Sequence, residues 1–310
     1  MISFIIPLYN KSRYIKECIT SVLASTTSKE IEIVVVDDCS TDNSIEVVKS
    51  IKDERVKLIA LSENRGPSAA RNVGAKNAKN DYLFFLDADD YVNDNLISYL
   101  LDYISNYPSF MVFSVGIRYA KNDDNGVGLE QDVQNHGMLP CFAYHQSVLE
   151  GSLLLTASNV CLHKGVLDEV GLFREDSRYS EDAEFWARLS AKYPVYSISK
   201  LLVHYRIIPN SLSQVGASAI RDVPIFLITL KEQALKYRSK KCRMLYSKML
   251  FKYFFLSKRT SSSVSKTLLG EEYIVECNIK YRAIIKVLNF IPSKSIGMVY
   301  DLYRLMKYGK

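Results

Sequence analysis

The feature that most constrains this chain is a rhythm. Short, β-branched apolar runs alternate with stretches of helical spacing, and several of the runs end in polar residues. Residues 3–8 form an apolar run that includes Pro7, short and branched enough for a buried strand. Ile15, Ile19, Val22 and Leu23 then recur at helical spacing, and residues 31–36 predict a second buried strand ending in Asp37-Asp38. A helix over about 43–52, a strand at 56–61 and a helix opening at Ser68 follow. A strand over 82–86 ends in Asp87-Ala88-Asp89-Asp90, before a helix over 95–104 and a strand over 110–117. Strands separated by crossover helices imply a parallel sheet with right-handed connections. The expected fold is therefore α/β, a Rossmann-like, mainly parallel sheet flanked by helices. Ligands of such sheets bind beyond the carboxyl ends of the strands. Three of those ends carry Tyr9-Asn10, Asp37-Asp38 and Asp87 to Asp90.

Past residue 120 the rhythm loosens. Helical runs are read at 146–155, 164–170 and 181–191, with a strand at 195–204, and long helical patterns dominate from Val223. The expected division is an α/β domain over 1–218, with halves 1–120 and 121–218, and a helical extension over 219–310. Charge divides in the same region. Residues 1–220 hold 21 Lys+Arg against 28 Asp+Glu, whereas 221–310 hold 19 against 6. An acidic first part argues against nucleic acid as partner. The basic tail, interleaved with Tyr, Phe, Leu and Ile, suits an anionic membrane surface; its apolar stripes would equally pack on the catalytic domain or a second copy in a homo-oligomer. Six widely spaced cysteines, with no C-x-x-C pair, read as free or buried thiols in a reducing compartment. The first residues lack a basic n-region and their apolar run meets Pro7, unlike a signal peptide. No uncharged apolar run approaches the ~18 residues of a membrane span. The expected location is cytoplasmic, peripheral on the inner face of the plasma membrane.

Asp87 and Asp89, two residues apart at a strand end, are placed to offer two carboxylates to one hard cation, Mg²⁺ or Mn²⁺. The plainer reading is a run of solvated acids that caps the following helix. Glycine-rich phosphate cradles are missing: Pro7-Leu8-Tyr9-Asn10-Lys11 stands where G-x-G-x-x-G would follow the first strand, and no G-x-x-x-x-G-K-[ST] loop occurs. A nucleotide would have to be held by metal, Asp and Arg.

Four ordered motifs then carry a resemblance. They are Ile5-Ile6-Pro7-Leu8-Tyr9-Asn10, Val34-Val35-Val36-Asp37-Asp38-Cys39-Ser40-Thr41-Asp42, Glu63-Asn64-Arg65-Gly66-Pro67-Ser68-Ala69-Ala70-Arg71-Asn72 and Leu86-Asp87-Ala88-Asp89-Asp90. Together they resemble family 2 inverting glycosyltransferases of the GT-A fold, of the bacterial polysaccharide type, strongly over 1–120 and moderately over 150–215. Cys39 departs from the family, which usually has Gly or another small residue there.

The resemblance implies a nucleotide-sugar donor site at Pro7, Tyr9, Asn10, Asp37, Arg71, Asp87, Ala88 and Asp89. Asp37 would hold the base, with Asp87 and Asp89 serving ribose and metal. Arg71 would neutralise phosphate or sugar oxygens, although a helix-surface Arg paired with an acid fits the same position. Ser180-Glu181-Asp182 resembles the family's Glu-Asp motif, which makes Asp182 the catalytic base and Glu181 an acceptor-binding or basicity-raising neighbour. Acids also favour a helix's first turn, the purely structural alternative. Arg206 and Ser211 match the loop that closes over the donor diphosphate, His204 a third metal ligand in some members, and Asn159 an acceptor-contacting stretch. The implied function is metal-dependent transfer of a sugar, hexosyltransferase-type, from a UDP-sugar to a hydroxyl of a glycan or lipid-linked glycan. The alternative is a non-enzymatic scaffold with a degenerate GT-A core.

Overall fold

The computed structural model describes residues 1–25, 31–121, 137–152, 154–176, 180–208, 222–260, 262–293 and 295. The chain forms two compact units. One comprises Met1–Tyr144 and Leu153–Ile208, the other His145–Ser152 and Pro209–Lys310. The division expected at 218 falls outside the described residues, and the return of His145–Ser152 to the second unit has no counterpart in the sequence pattern.

The first unit is built on one sheet. Strands β1 (Ile2–Leu8), β2 (Ile31–Asp37), β3 (Val56–Ala60) and β4 (Tyr82–Phe85) alternate with helices α1 (Ile15–Ala24), α2 (Ser44–Ser50) and α3 (Pro67–Asn77). β5 (Tyr91–Val92), α4 (Leu96–Asn106), β6 (Val112–Lys121), β7 (Gly137–Leu139), α5 (Ala143–Glu150), β8 (Val160–His163), α6 (Val166–Val170), α7 (Glu181–Lys192) and β9 (Val195–Ile207) follow. The strand order is β3-β2-β1-β4-β8-β6-β9-β5, with β7 also on β9. β1 to β4 pair in parallel, as do β6 and β9, whereas β8 is antiparallel to both its neighbours. β1 is central and almost wholly buried, as its near-continuous apolar run requires. Pro7 costs it no ladder bond. Ile5 accepts from Leu86 N–H, so residues of that parity face β4, which ends before it reaches Pro7. α3 approaches β1 closely because residue 74 is glycine: a Cβ there would stand 2.5 Å from Ile5 Cγ2.

In the second unit, α8 (Ile225–Tyr237) and α9 (Lys240–Arg259) pack together, followed by α10 (Val264–Thr267), α11 (Glu271–Ile274) and α12 (Ile279–Asn289). This corrects part of the tail's expected role. Leu245, Met249, Leu250, Tyr253, Phe254 and Phe255, expected to meet lipid, are buried core. Two of the accompanying lysines serve as caps. Lys248 Nζ donates to the Val148 and Leu149 carbonyls at the end of α5, and Lys258 Nζ to those of Leu288 and Asn289 at the end of α12. No helix of the described residues is long and apolar enough to cross a membrane.

Candidate active site

The ends of β1 and β2 form one side of the site. Asn10 takes a left-handed backbone (φ 52°), donates its N–H to Ser40 Oγ at 3.0 Å and accepts from Thr41 N–H at 2.8 Å. Asp37, fully buried at the end of β2, accepts from Ser40 N–H through Oδ2 at 3.0 Å, while its Oδ1 has no hydrogen-bond partner among the described residues. A buried acceptor left unmet costs about 1–3 kcal/mol, which a ligand N–H or O–H would recover. Asp38 has a different task, invisible in the sequence. Its two oxygens accept from Arg65 N–H and Gly66 N–H, both at 2.8 Å, and fix the loop that enters α3. Cys39, between these contacts, also takes a left-handed backbone (φ 63°), which explains glycine's place in the resembling family. Tyr9 stands 45% exposed at the rim.

The acid motif lies just beyond β4, in a turn closed by Asp90 N–H to the Asp87 carbonyl at 3.0 Å. The convergence of its carboxylates therefore comes from the turn, not from a shared strand face. Carboxylate oxygens of Asp87, Asp89 and Asp90 lie within 4.8 Å of one another. Asp90 is the buried one, accepting from Ser158 Oγ at 2.6 Å and from Arg206 N–H at 2.8 Å. Burial, then the charges of Asp89 and Asp87, push it well above the usual carboxylate range. Ser158 Oγ also accepts from Asp87 N–H at 3.1 Å, so this serine fastens both ends of the turn. Asp87 Oδ1 pairs with Arg71 at 2.8 Å and Asp89 Oδ2 with Lys11 at 2.5 Å. The remaining oxygen of each accepts nothing from the described residues. Hard oxygen donors, each with an unused atom and crowded against a third carboxylate, fit a divalent cation. Ala88 is buried in the core, so it offers this turn its backbone alone.

Arg71 joins the acid turn to the third part of the site. It is 4% exposed and lies between Asp87 and Glu181, at 2.8 and 3.2 Å, with its guanidinium carbon 5.5 Å from the Phe173 ring centroid. Burial alone would lower the guanidinium, but Asp87 and Glu181 more than offset it and keep the charge. The Arg expected to touch donor is thus a buried bridge between two acids. α7 begins at Glu181, after Ser180, whose backbone is left-handed (φ 59°) and whose side chain makes no capping bond. Asp182 accepts from Ala183 N–H at 2.7 Å. Burial and then the neighbouring Glu181 carboxylate push Asp182 up to about 6, against the opposing pull of Arg71 and that N–H.

Arg206 and His204 sit at the end of β9. The Arg206 guanidinium lies 5.0 Å from the ring centroids of both Tyr14 and Tyr91 and pairs with Glu17 at 2.8 Å, while its backbone holds Asp90. His204 stacks on Tyr91, ring centroids 4.4 Å apart, and is not a member of the acid group. Asn159 requires a correction. It is buried, with Oδ1 accepting from Thr156 N–H and Oγ1, and Nδ2 donating to the Val115 and Leu154 carbonyls. Every hydrogen-bonding position of its amide is used internally, which leaves none for an acceptor. Ser211 lies outside the described residues.

A GT-A fold with its polar groups gathered beyond the strand ends defines the class. The chain belongs to glycosyl transferase family 2, whose model matches residues 3–171. Glycosyltransferase GlyA of Streptococcus pneumoniae is 29% identical over 290 residues, which cover 88% of this chain and 40% of that protein. An uncharacterized glycosyltransferase of Haemophilus influenzae is 44% identical over 110 residues, 34% of this chain and 44% of its own length. The crystal structure of S. aureus TarS 1-349 in complex with UDP-GlcNAc superposes with a TM-score of 0.68 at 20% identity, covering 100% of this chain and 93% of that one. The chain spans 33–44% of the full length of GlyA, the H. influenzae protein and two further sequence relatives.

Proposed function

We propose that this protein is an inverting glycosyltransferase. It moves a sugar from a UDP-linked donor to a hydroxyl of a glycan or lipid-linked glycan in cell-surface polysaccharide synthesis. The observation that carries this reading is Asp182, a carboxylate raised to about 6 and tied through Glu181 and Arg71 to Asp87 of the acid turn. Inversion by single displacement needs a base opposite the leaving group, and a base of that strength is charged and basic near neutrality. Asp182 takes the acceptor hydroxyl's proton. Glu181 raises its basicity, and Arg71 orients Glu181 and Asp87 together. Asp37 Oδ1, buried and unmet, accepts from the base of the nucleotide. Asp87 and Asp89 would hold Mn²⁺ or Mg²⁺, which when bound neutralises diphosphate charge. Arg206 and His204, beside Asp90, border the diphosphate end. Among the relatives, S. aureus TarS is a poly(ribitol-phosphate) beta-N-acetylglucosaminyltransferase and another S. aureus protein is a poly-beta-1,6-N-acetyl-D-glucosamine synthase. UDP-GlcNAc is therefore the first donor to try.

Titration of UDP with Mn²⁺ or with EDTA tests the donor site. Mn²⁺ is expected to tighten UDP binding in the wild type and not in Asp89→Ala. Equal affinity in all four combinations would remove the acid turn from donor binding.

A further inference from the structure

Ten large apolar side chains are exposed among the described residues, and five of them lie between residues 275 and 290. These are Val275 at 60%, Ile279 at 78%, Ile284 at 45%, Val287 at 65% and Phe290 at 86% exposure. Isolated exposed apolar residues are ordinary, whereas a concentration of them marks a contact surface. On α12 the positions 279, 283 and 287 follow one another at helical spacing, with Phe290 continuing the stripe just past the helix end. The opposite face is spent on the core, through Ile285 and Leu288. Lys280 and Lys286 are exposed on the same helix; Lys280 N–H donates to the Asn278 cap, but neither ammonium group makes a hydrogen bond or an ion pair with the described residues. Arg282 is different, because its guanidinium donates to the Val275 and Cys277 carbonyls.

We infer that this stripe of α12 lies in the surface of an anionic lipid bilayer. The inference deepens the proposed function, since it rests on the reading that the acceptor is a lipid-linked glycan; the binding itself needs no catalysis. The earlier stretch over α9 cannot do this, its apolar side chains being core and Lys248 a helix cap. Interfacial helices combine an apolar face with basic residues and lie in the plane of the headgroups. Phe290 and Val287 would enter the acyl boundary while Lys280 and Lys286 meet anionic headgroups. Each such lysine tightens binding about fivefold. A second copy meeting this stripe through its own tail would set like charges against one another, since residues 221–310 hold 19 Lys+Arg against 6 Asp+Glu; an acidic protein surface is the competing occupant, and it would show as the dimer or the absence of vesicle binding tested below.

The experiment is co-sedimentation of the full chain with phosphatidylcholine vesicles, with and without phosphatidylglycerol, at low and high salt. The wild type is expected to sediment with the anionic vesicles and to lose at least about tenfold in affinity at high salt, as screening removes the headgroup attraction. Val287→Glu with Phe290→Glu should abolish sedimentation, and Lys280→Glu with Lys286→Glu should weaken it at least tenfold. Leu235→Glu, at an exposed apolar site on α8, should bind as wild type. Circular dichroism of each variant checks that the helices persist, and UDP binding by each should match the wild type. A wild type that stays in solution with anionic vesicles at low salt overturns the inference. So does a Val287→Glu/Phe290→Glu protein that sediments normally, or a salt-resistant dimer broken by those substitutions. None of these outcomes touches the donor-site titration, so failure here and failure of the proposed function are separable.

Discussion

As the proposed base, Asp182 would concentrate the chemistry of the site in one carboxylate, and its environment sets its working range. With its proton-binding midpoint at about 6, the base form prevails above that pH. Transfer should fall as pH drops below about 6, with a slope near one decade per unit. Asp182→Asn keeps volume and hydrogen bonding but takes no proton. It should lose at least about 100-fold in transfer, within the usual range for a general base, while UDP binding stays within about twofold. Near-native transfer would place the base elsewhere. Cys39 makes a second residue-level prediction. A side chain at φ 63° carries strain of about 1–2 kcal/mol that glycine avoids, partly offset by glycine's greater unfolded-state freedom. Cys39→Gly should raise the melting temperature by a degree or so, and a fall would show that the thiol makes a compensating contact. Asp37, Asp87, Asp89 and Asp182 were legible as candidates because their motifs are local in sequence. Asp90 and Ser158, partners 68 residues apart, were not, since only the closed turn brings them together. The same is true of Arg71, whose acids lie 16 and 110 residues away.

At the level of elements, the parallel half of the sheet was readable for a physical reason. β1, β2 and β4 are largely buried and so appear as near-continuous apolar runs, broken only by Ser3 and Glu32, which hydrogen-bond to each other, while α1 and α7 keep helical spacing. β5 has two residues, β7 three and β8 four, too short for any period to show, and their antiparallel insertion beside β4, β6 and β9 depends on long-range pairing. The α3–β1 contact is where sequence pattern and packing disagree most. Alanine at 74 would gain about 1 kcal/mol in helix propensity. The clash with Ile5 Cγ2 at 2.5 Å, with Val36 Cγ2 at 3.4 Å behind it, forces overpacking that typically costs about 1–3 kcal/mol. Gly74→Ala should therefore lower the denaturant midpoint without changing the slope. An unchanged or raised midpoint would mean that α3 shifts off the sheet at little cost.

Across the whole molecule, buried titratable groups of opposite kind reside in the two units. In the first, Asp182, Asp38 and Asp90 are raised above their ordinary values, chiefly by burial. Folding there takes up protons, so this unit gains stability as pH falls from about 6 toward the unfolded carboxylate value near 4. In the second, His145 is buried with Nε2 2.7 Å from Gln233 Oε1, and burial lowers it to about 4, Gln233 opposing and Lys241 assisting. Its unfolded form binds a proton near 6.5. The stabilisation is complete above that pH and is lost progressively as pH falls from about 6.5 to 4, by up to about 3 kcal/mol. Carboxylates held low by partners, such as Asp53 at about 2, begin to cost stability only below about pH 5 and so leave the interval from pH 7 to 5 undisturbed. Acidification from pH 7 to 5 should therefore weaken the second unit while the first is held or strengthened. Amide hydrogen exchange at the two pH values reads this directly. Protection factors over α8 and α9 should fall about tenfold or more, while those over β1 and β2 should not fall. His145→Gln, neutral throughout, should remove the pH dependence of α8 and α9 at a constant cost in stability. If α8 and α9 keep their protection at pH 5 in the wild type, or lose it equally in His145→Gln, the histidine is not the acid-sensitive element.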